Sequence, residues 1–329
     1  MTSSSASSTA TWTSIPNIPA VAEPVISIRG LRKSYDDFEA VHGIDLEVER
    51  GEVFAFLGPN GAGKTTTVEI LEGYRKPSAG EISVLGEEPS RAPRAWRGRI
   101  GIVLQDNKLD QYLTVRESLA LYAGYYPAPR PVDDVIDLVG LADKADERTS
   151  KLSGGQQRRL DVGMALVGDP ELLFLDEPTT GFDPSARRQA WRVISSLRDL
   201  GKTIFLTTHY MDEAQTLADR VAIIARGEIV AQGTPEDLGD REHQPARISF
   251  RIPPGVEPAE MPGLDGVEPD GQGIVSLSTG SPVRALHELT DWAIERGVDL
   301  AGLEVRRPTL EDIYLQVTRE AEEREEAEE

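Results

Sequence analysis

The feature that most constrains this chain is the loop Gly58-Pro59-Asn60-Gly61-Ala62-Gly63-Lys64-Thr65-Thr66, set between two stretches of opposite character. Ahead of it, Val53-Phe54-Ala55-Phe56-Leu57 is an unbroken apolar, partly β-branched run, which reads as a buried strand. Behind it, Val68, Ile70 and Leu71 begin a helical pattern. Glycines let the backbone curl so that successive N–H groups point inward, and the helix N-terminus adds positive potential. G-x-x-x-x-G-K-T in that setting is a phosphate-binding loop, with Lys64 reaching the β- and γ-phosphates and the Thr65 hydroxyl on Mg²⁺.

A second element fits the first. Leu172-Leu173-Phe174-Leu175 reads as a buried parallel strand that runs into Asp176 and Glu177. An acid at such a strand end can hold Mg²⁺ through water, and the next can polarise the water that attacks the γ-phosphate. Leu152-Ser153-Gly154-Gly155-Gln156 opens a further helix. Ser153 with Gln156 three residues on matches a capping box, and the same geometry makes an anion site at a helix N-terminus.

Bulk properties narrow the class. The chain has 329 residues, enough for one large domain or two. It has no cysteine, which excludes a disulfide scaffold and thiolate metal sites and suits a reducing cytoplasm. A net charge of −21 argues against nucleic acid as a partner, because phosphate backbones need clustered Lys and Arg. No apolar run approaches the roughly 20 residues that span a bilayer. The Ser/Thr/Ala-rich opening carries no charge before Glu23, unlike the basic start of a signal peptide. A soluble chain is expected, reaching a membrane only through a partner.

Pattern then orders the rest. Residues 1–23 have little to bury and read as a disordered arm. Alternation over Val25–Leu31 and Ile44–Val48 predicts an antiparallel opening before a parallel core. Residues from about 113 to 168 change to helical periods, a helical insertion. Strands are predicted at Glu81–Gly86, Ile100–Leu104 and Thr203–Thr208, a helix at Pro184 with Asp183 as N-cap, and a closing hairpin over Val221–Ile224 and Glu228–Val230. Composition shifts near Gly239–Gln244, and residues 245–318 read as a small α+β domain with a helix from Ser281-Pro282. The tail, 319–329, is nearly all Glu.

Taken together, Gly58–Thr66, Gln105, Leu152–Gln156, Asp176-Glu177, Asp183 and His209 occur in the order of an ATP-binding-cassette (ABC) ATPase, and the chain resembles that family over roughly residues 25–235. The resemblance implies an α/β fold: a P-loop NTPase (RecA-like) core with an antiparallel β-subdomain and a helical lobe, spanning 24–240. It implies ATP and Mg²⁺ as ligands, with Tyr35 stacking on adenine and Gly58, Pro59, Asn60, Gly61, Ala62, Gly63, Lys64, Thr65 and Thr66 around the phosphates. Thr65, Gln105 and Asp176 then attend the metal, Glu177 is the general base, and His209 contacts the γ-phosphate beside Lys64 and Gln105. Ser153, Gly154, Gly155 and Gln156, with Asp183 of the D-loop, would close over a nucleotide held by a second copy. Hydrolysis should therefore require a homodimer.

Several segments are similar to the daunorubicin-resistance-like branch that works with ABC-2-type permeases. They are Leu31–Tyr35, Gln105-Asp106-Asn107, Asp176–Asp183, Thr207–Met211 and Arg307–Tyr314. Phe182 stands where family members more often have Leu. The expectation is the motor subunit of an exporter on the cytoplasmic face of the membrane, bound to a separate permease. An importer ATPase, or a soluble ABC protein acting on ribosomes or DNA, is the alternative; a generic P-loop kinase or GTPase leaves Leu152–Gln156 unexplained.

Overall fold

In the computed structural model, which describes residues 23–104, 109–238, 245–264, 266–306, 311–312 and 314–315, the apolar runs come together as one central sheet. The chain opens with the hairpin β1 (Ile26–Tyr35) and β2 (Phe38–Val48), followed by β3 (Val53–Leu57) and α1 (Lys64–Leu71). Then come β4 (Ala79–Val84), α2 (Arg94–Arg97), β5 (Ile100–Val103), and three helices, α3 (Val115–Ala123), α4 (Val132–Leu138) and α5 (Gly154–Leu166). The second half of the core is β6 (Leu172–Asp176), α6 (Pro184–Asp199), β7 (Thr203–Thr208), α7 (Met211–Leu217), β8 (Arg220–Ala225) and β9 (Glu228–Gly233). Last come β10 (Ala246–Arg251), β11 (Ile274–Thr279), α8 (Pro282–Arg296) and β12 (Glu304–Arg306). The residues of the expected arm before Glu23, the acidic tail and Gln105 lie outside the described residues.

The central sheet has the order β5-β6-β7-β3-β8-β9, parallel except that β9 returns antiparallel to β8. Parallel strands covered on both faces favour apolar side chains on both, which is why β3, residues 172–175 of β6 and residues 204–206 of β7 read as unbroken runs. Phe54, Phe174 and Phe205 face one way, Phe205 lying 5.7 Å from Phe54 and 5.8 Å from Phe174 between ring centroids. They share a core with α1 and with the antiparallel sheet β2-β1-β4. Their neighbours Val53, Leu173 and Ile204 face the other way, into a core built with α3, α4, α5 and α6. Thr114 starts α3 with a full capping box. The sheet β11-β10-β12 buries Ile248, Phe250 and Val275 against Leu289 and Ala293 of α8, a core of its own. Among the described residues no helix is long and apolar enough to cross a membrane.

This order decides where chemistry can gather. β6, β7 and β3 are neighbours, so Asp176, Thr208 and the Gly58 loop emerge side by side at the carboxyl ends of parallel strands, where open α/β sheets form their ligand crevice.

Candidate functional site

The loop after β3 is pressed between two strand backbones. A Cβ on Gly58 would lie 2.3 Å from the Ile224 carbonyl oxygen, and one on Gly63 2.6 Å from that of Ala40. Gly63 also sits at φ 99°, where a side chain is strained, and it starts α1 with no side-chain cap. The first N–H groups of that helix are therefore left for an anion. Lys64 is buried, and its Nζ donates to the carbonyls of Gly58 (2.7 Å) and Pro59 (2.9 Å), tying the loop together. Burial pushes its ammonium pKa down, and the charges of Glu177 and Asp176 oppose that shift.

The acids at the end of β6 are set by hydroxyls. Thr207 of β7 donates from Oγ1 to Asp176 Oδ1. Glu177 adopts φ 44°, a left-handed conformation that costs a non-glycine residue about 1 kcal/mol. Its N–H donates to the carbonyl and the hydroxyl of Thr207, both at 3.1 Å, and this fixes the turn. The Glu177 carboxylate accepts from Thr180 Oγ1 at 3.0 Å and lies 3.4 Å from His209 Nδ1.

One cleft of about 680 Å³ takes in most of the expected site. Tyr35, Gly58, Pro59, Asn60, Gly61, Gly63, Lys64, Thr65, Thr66, Asp176, Glu177 and His209 line it. Ala62 does not; it is buried in the core beneath the loop. A hydroxyl and a carboxylate, Thr65 and Asp176, would hold Mg²⁺, an ion that keeps several waters and takes its other ligands from phosphates. The ion would neutralise phosphate charge there.

Ser153, Gly154, Gly155 and Asp183 lie elsewhere. They line a second cleft of about 490 Å³, which shares only Glu177 and Thr180 with the first. Ser153 Oγ accepts from the Gln156 N–H at 3.4 Å while Gln156 Oε1 accepts from the Ser153 N–H at 2.9 Å, the reciprocal capping box at the start of α5. Asp183 caps α6, accepting from the N–H groups of Ser185 (2.8 Å) and Ala186 (2.9 Å). Gln156 is occupied in its cap and is not part of the cleft wall.

Four features were not read from the sequence. Phe38 pairs across the hairpin with Tyr35 and is 64% exposed in the first cleft, a second aromatic at its rim. Its signal was present: two aromatics flank the Asp36-Asp37 turn. Thr180 and Thr207 hold the two acids. Arg158 of α5 is buried and donates to the carbonyls of Leu104, Asp176 (2.5 Å) and Pro178 (3.3 Å), joining the helical region to the end of β6. Glu213 of α7, fully buried, accepts from Thr179 Oγ1 and Trp191 Nε1, both at 2.9 Å; burial pushes its carboxyl pKa up.

Residues 41–180 match the family model described as ABC transporter, and 246–309 match ABC transporter domain-containing protein-like, C-terminal domain. The chain is similar to a daunorubicin resistance ATP-binding protein of Streptomyces coeruleorubidus, 38% identical over 309 residues that cover 91% of this chain and 97% of that protein. It belongs to the ABC transporter ATP-binding family. The cassette is also 42% identical over 315 residues to a Nod factor export ATP-binding protein of Burkholderia pseudomallei, covering 89% of this chain and 96% of the relative. A subunit of an ABC transporter complex from Clostridium perfringens superposes with a TM-score of 0.61 at 31% identity, over 65% of this chain and 90% of the other. An ABC cassette solved in its ADP conformation aligns with a TM-score of 0.58 at 23% identity, over 66% of this chain and 93% of that one, a likeness of fold. The cassette is an ATPase subunit of a transporter.

Proposed function

We propose that the cassette drives export through a separate ABC-2-type permease, by closing two copies of itself around ATP and Mg²⁺ at the cytoplasmic face of the membrane. The observation that carries this is the separation of the two clefts. The phosphate loop and the acids lie in one, while Ser153 and Gly154 face another. A nucleotide in the first cleft is enclosed on one side only, and α5 points its N-terminus elsewhere. A second copy, turned to meet the first, brings Ser153 and Gly154 over the nucleotide and completes the enclosure. The relatives named for daunorubicin resistance and Nod factor export support export as the direction.

In this reading Lys64 and the N-terminus of α1 orient the phosphates, and Tyr35 takes the base. Glu177, held by Thr207 and Thr180, accepts the proton of the attacking water. His209, beside Glu177, contacts the γ-phosphate, and Gln105 senses it. Glu177→Gln keeps the shape and removes the base. Expected is ATP binding with turnover down by about a hundredfold or more, and a dimer in sedimentation when ATP is present. Near-normal turnover in a chain that stays monomeric would overturn both the base and the sandwich.

A further inference from the structure

Glu213, in the first turn of α7, is 0% exposed. Burying a carboxyl is costly unless its oxygens are bonded, and an apolar side chain of similar size would fill the space without that penalty. What the carboxyl does there is join three segments. Its Oε1 accepts from Thr179 Oγ1, just beyond Glu177, and from Trp191 Nε1 of α6, each at 2.9 Å. The third segment is its own, the turn that follows His209. Burial raises the carboxyl pKa, and the hydroxyls of Thr208 and Thr179 and the Trp191 indole oppose that rise.

The two turns that meet at Glu213 carry the two groups beside the Glu177 carboxylate. Thr180, next to Thr179, donates to it from Oγ1 at 3.0 Å, and His209 Nδ1 lies 3.4 Å away. The Arg187 guanidinium of α6 lies 4.1 Å from the Tyr210 ring centroid and donates to Asp212 Oδ2 at 3.1 Å. Tyr210 in turn packs on His209, with ring centroids 4.1 Å apart. Helix α6 thus braces the turn after β7 through Arg187, and Glu213 ties that turn to the one after β6.

We propose that Glu213 is a positioning residue for hydrolysis: it locks the turn carrying Thr180 to the turn carrying His209, and so keeps the Glu177 carboxylate aimed at the attacking water. The inference rests on Glu177 as general base, the reading given above. Reach is what the role demands. One oxygen must arrive between a hydroxyl and an indole N–H that come from different elements. A side chain one methylene shorter cannot meet both unless α7 moves, and His209 would move with it. A misplacement of about 1 Å among aligned reacting groups costs about a hundredfold in rate. The bonded partners of Glu213 belong to α6 and the turn after β6 rather than to the phosphate loop. The role therefore predicts slower chemistry at unchanged nucleotide affinity.

The test is steady-state ATP hydrolysis by the full chain. Glu213→Asp is expected to lower kcat at least about tenfold while KM for ATP stays within about twofold. Glu213→Gln, whose amide oxygen reaches both donors, should recover most of that loss. Thr179→Val removes one of the two bonds at nearly constant shape and should lower kcat about fivefold, which keeps the proposal testable should Glu213→Asp fail to fold. Either variant combined with Glu177→Gln should lower the residual turnover by no more than about twofold, because the group being positioned is gone. Parent-like kcat in Glu213→Asp, or in Thr179→Val where the first variant does not fold, would overturn the role and leave the general-base reading intact. So would a loss of unchanged size on top of Glu177→Gln, the mark of a purely structural effect. Normal turnover by Glu177→Gln alone would overturn the general-base reading and this role with it.

Discussion

The glycines of the two elements proposed to face phosphate are of different kinds. At Gly58 and Gly63 an added Cβ would strike a backbone carbonyl of the same chain, 2.3 Å and 2.6 Å away. At Gly154 an added Cβ would meet nothing within 4 Å, although the residue opens a helix where alanine is the better choice. The chain's own packing therefore accounts for the first pair and gives no reason for the third. In the proposed function the reason for Gly154 is the nucleotide bound to a second copy.

The sharpest way to break this contrast is to fill both kinds of site. Gly63→Ala forces a side chain into φ 99° and against Ala40, and should cost about 3 kcal/mol of stability. Denaturant unfolding of the isolated chain would show it, together with loss of nucleotide binding. Gly154→Ala should do the reverse to the monomer, raising stability by up to about 1 kcal/mol. Its turnover should nonetheless fall about tenfold or more, since a methyl group would stand where the partner's phosphates approach. An active, stabilised Gly154→Ala enzyme would remove the main argument for the sandwich.

The same contrast explains what could be read from the sequence. The loop at Gly58–Thr66 was legible because its chemistry is local: strand, glycines, lysine and helix follow one another along the chain. So was the capping box at Ser153 and Gln156, a relation three residues long. Arg158 was not, because its acceptors, the carbonyls of Leu104, Asp176 and Pro178, are assembled by folding and carry no side-chain signature. Glu72 looks like any surface acid in the run Leu71-Glu72-Gly73-Tyr74; only tertiary packing buries it. β12 escaped because its three residues are all exposed and show no alternation. Helix α7 follows directly on the strand that delivers His209, and its seven residues are too few to show a period.

Glu72, buried with its Oε1 lacking a hydrogen-bond partner among the described residues, belongs with Gly154 as a residue the isolated chain does not explain, and pH can sharpen that assignment. Its carboxyl pKa is raised to about 8 in the folded chain, so the folded state binds more protons than the unfolded state from pH 4.5 upward. Stability from this group is greatest at low pH and is lost as pH rises toward the folded pKa. From about pH 6 to about pH 8 the loss should be about 2 kcal/mol, and Glu72→Gln should remove it. Unfolding midpoints of the two chains at both pH values provide the check. Equal slopes would mean that Glu72 already has a partner within the chain.

Asp183 tests the contrast from the other side, because it lies in the open cleft yet has a task within its own chain. Its Oδ1 accepts from the N–H groups of Ser185 and Ala186, so Asp183→Ala should cost about 1 kcal/mol of stability. Asparagine caps a helix as well as aspartate does, so Asp183→Asn should unfold at the same denaturant concentration as the parent to within a few tenths of a kcal/mol. The two variants thus separate the cap from the charge. If capping is the whole role of Asp183, the Asn variant keeps full turnover as well as full stability. If the carboxylate also meets the second copy across the closed interface, Asp183→Asn loses turnover at unchanged stability, as Gly154→Ala is expected to do, and the residue then belongs to both sides of the comparison.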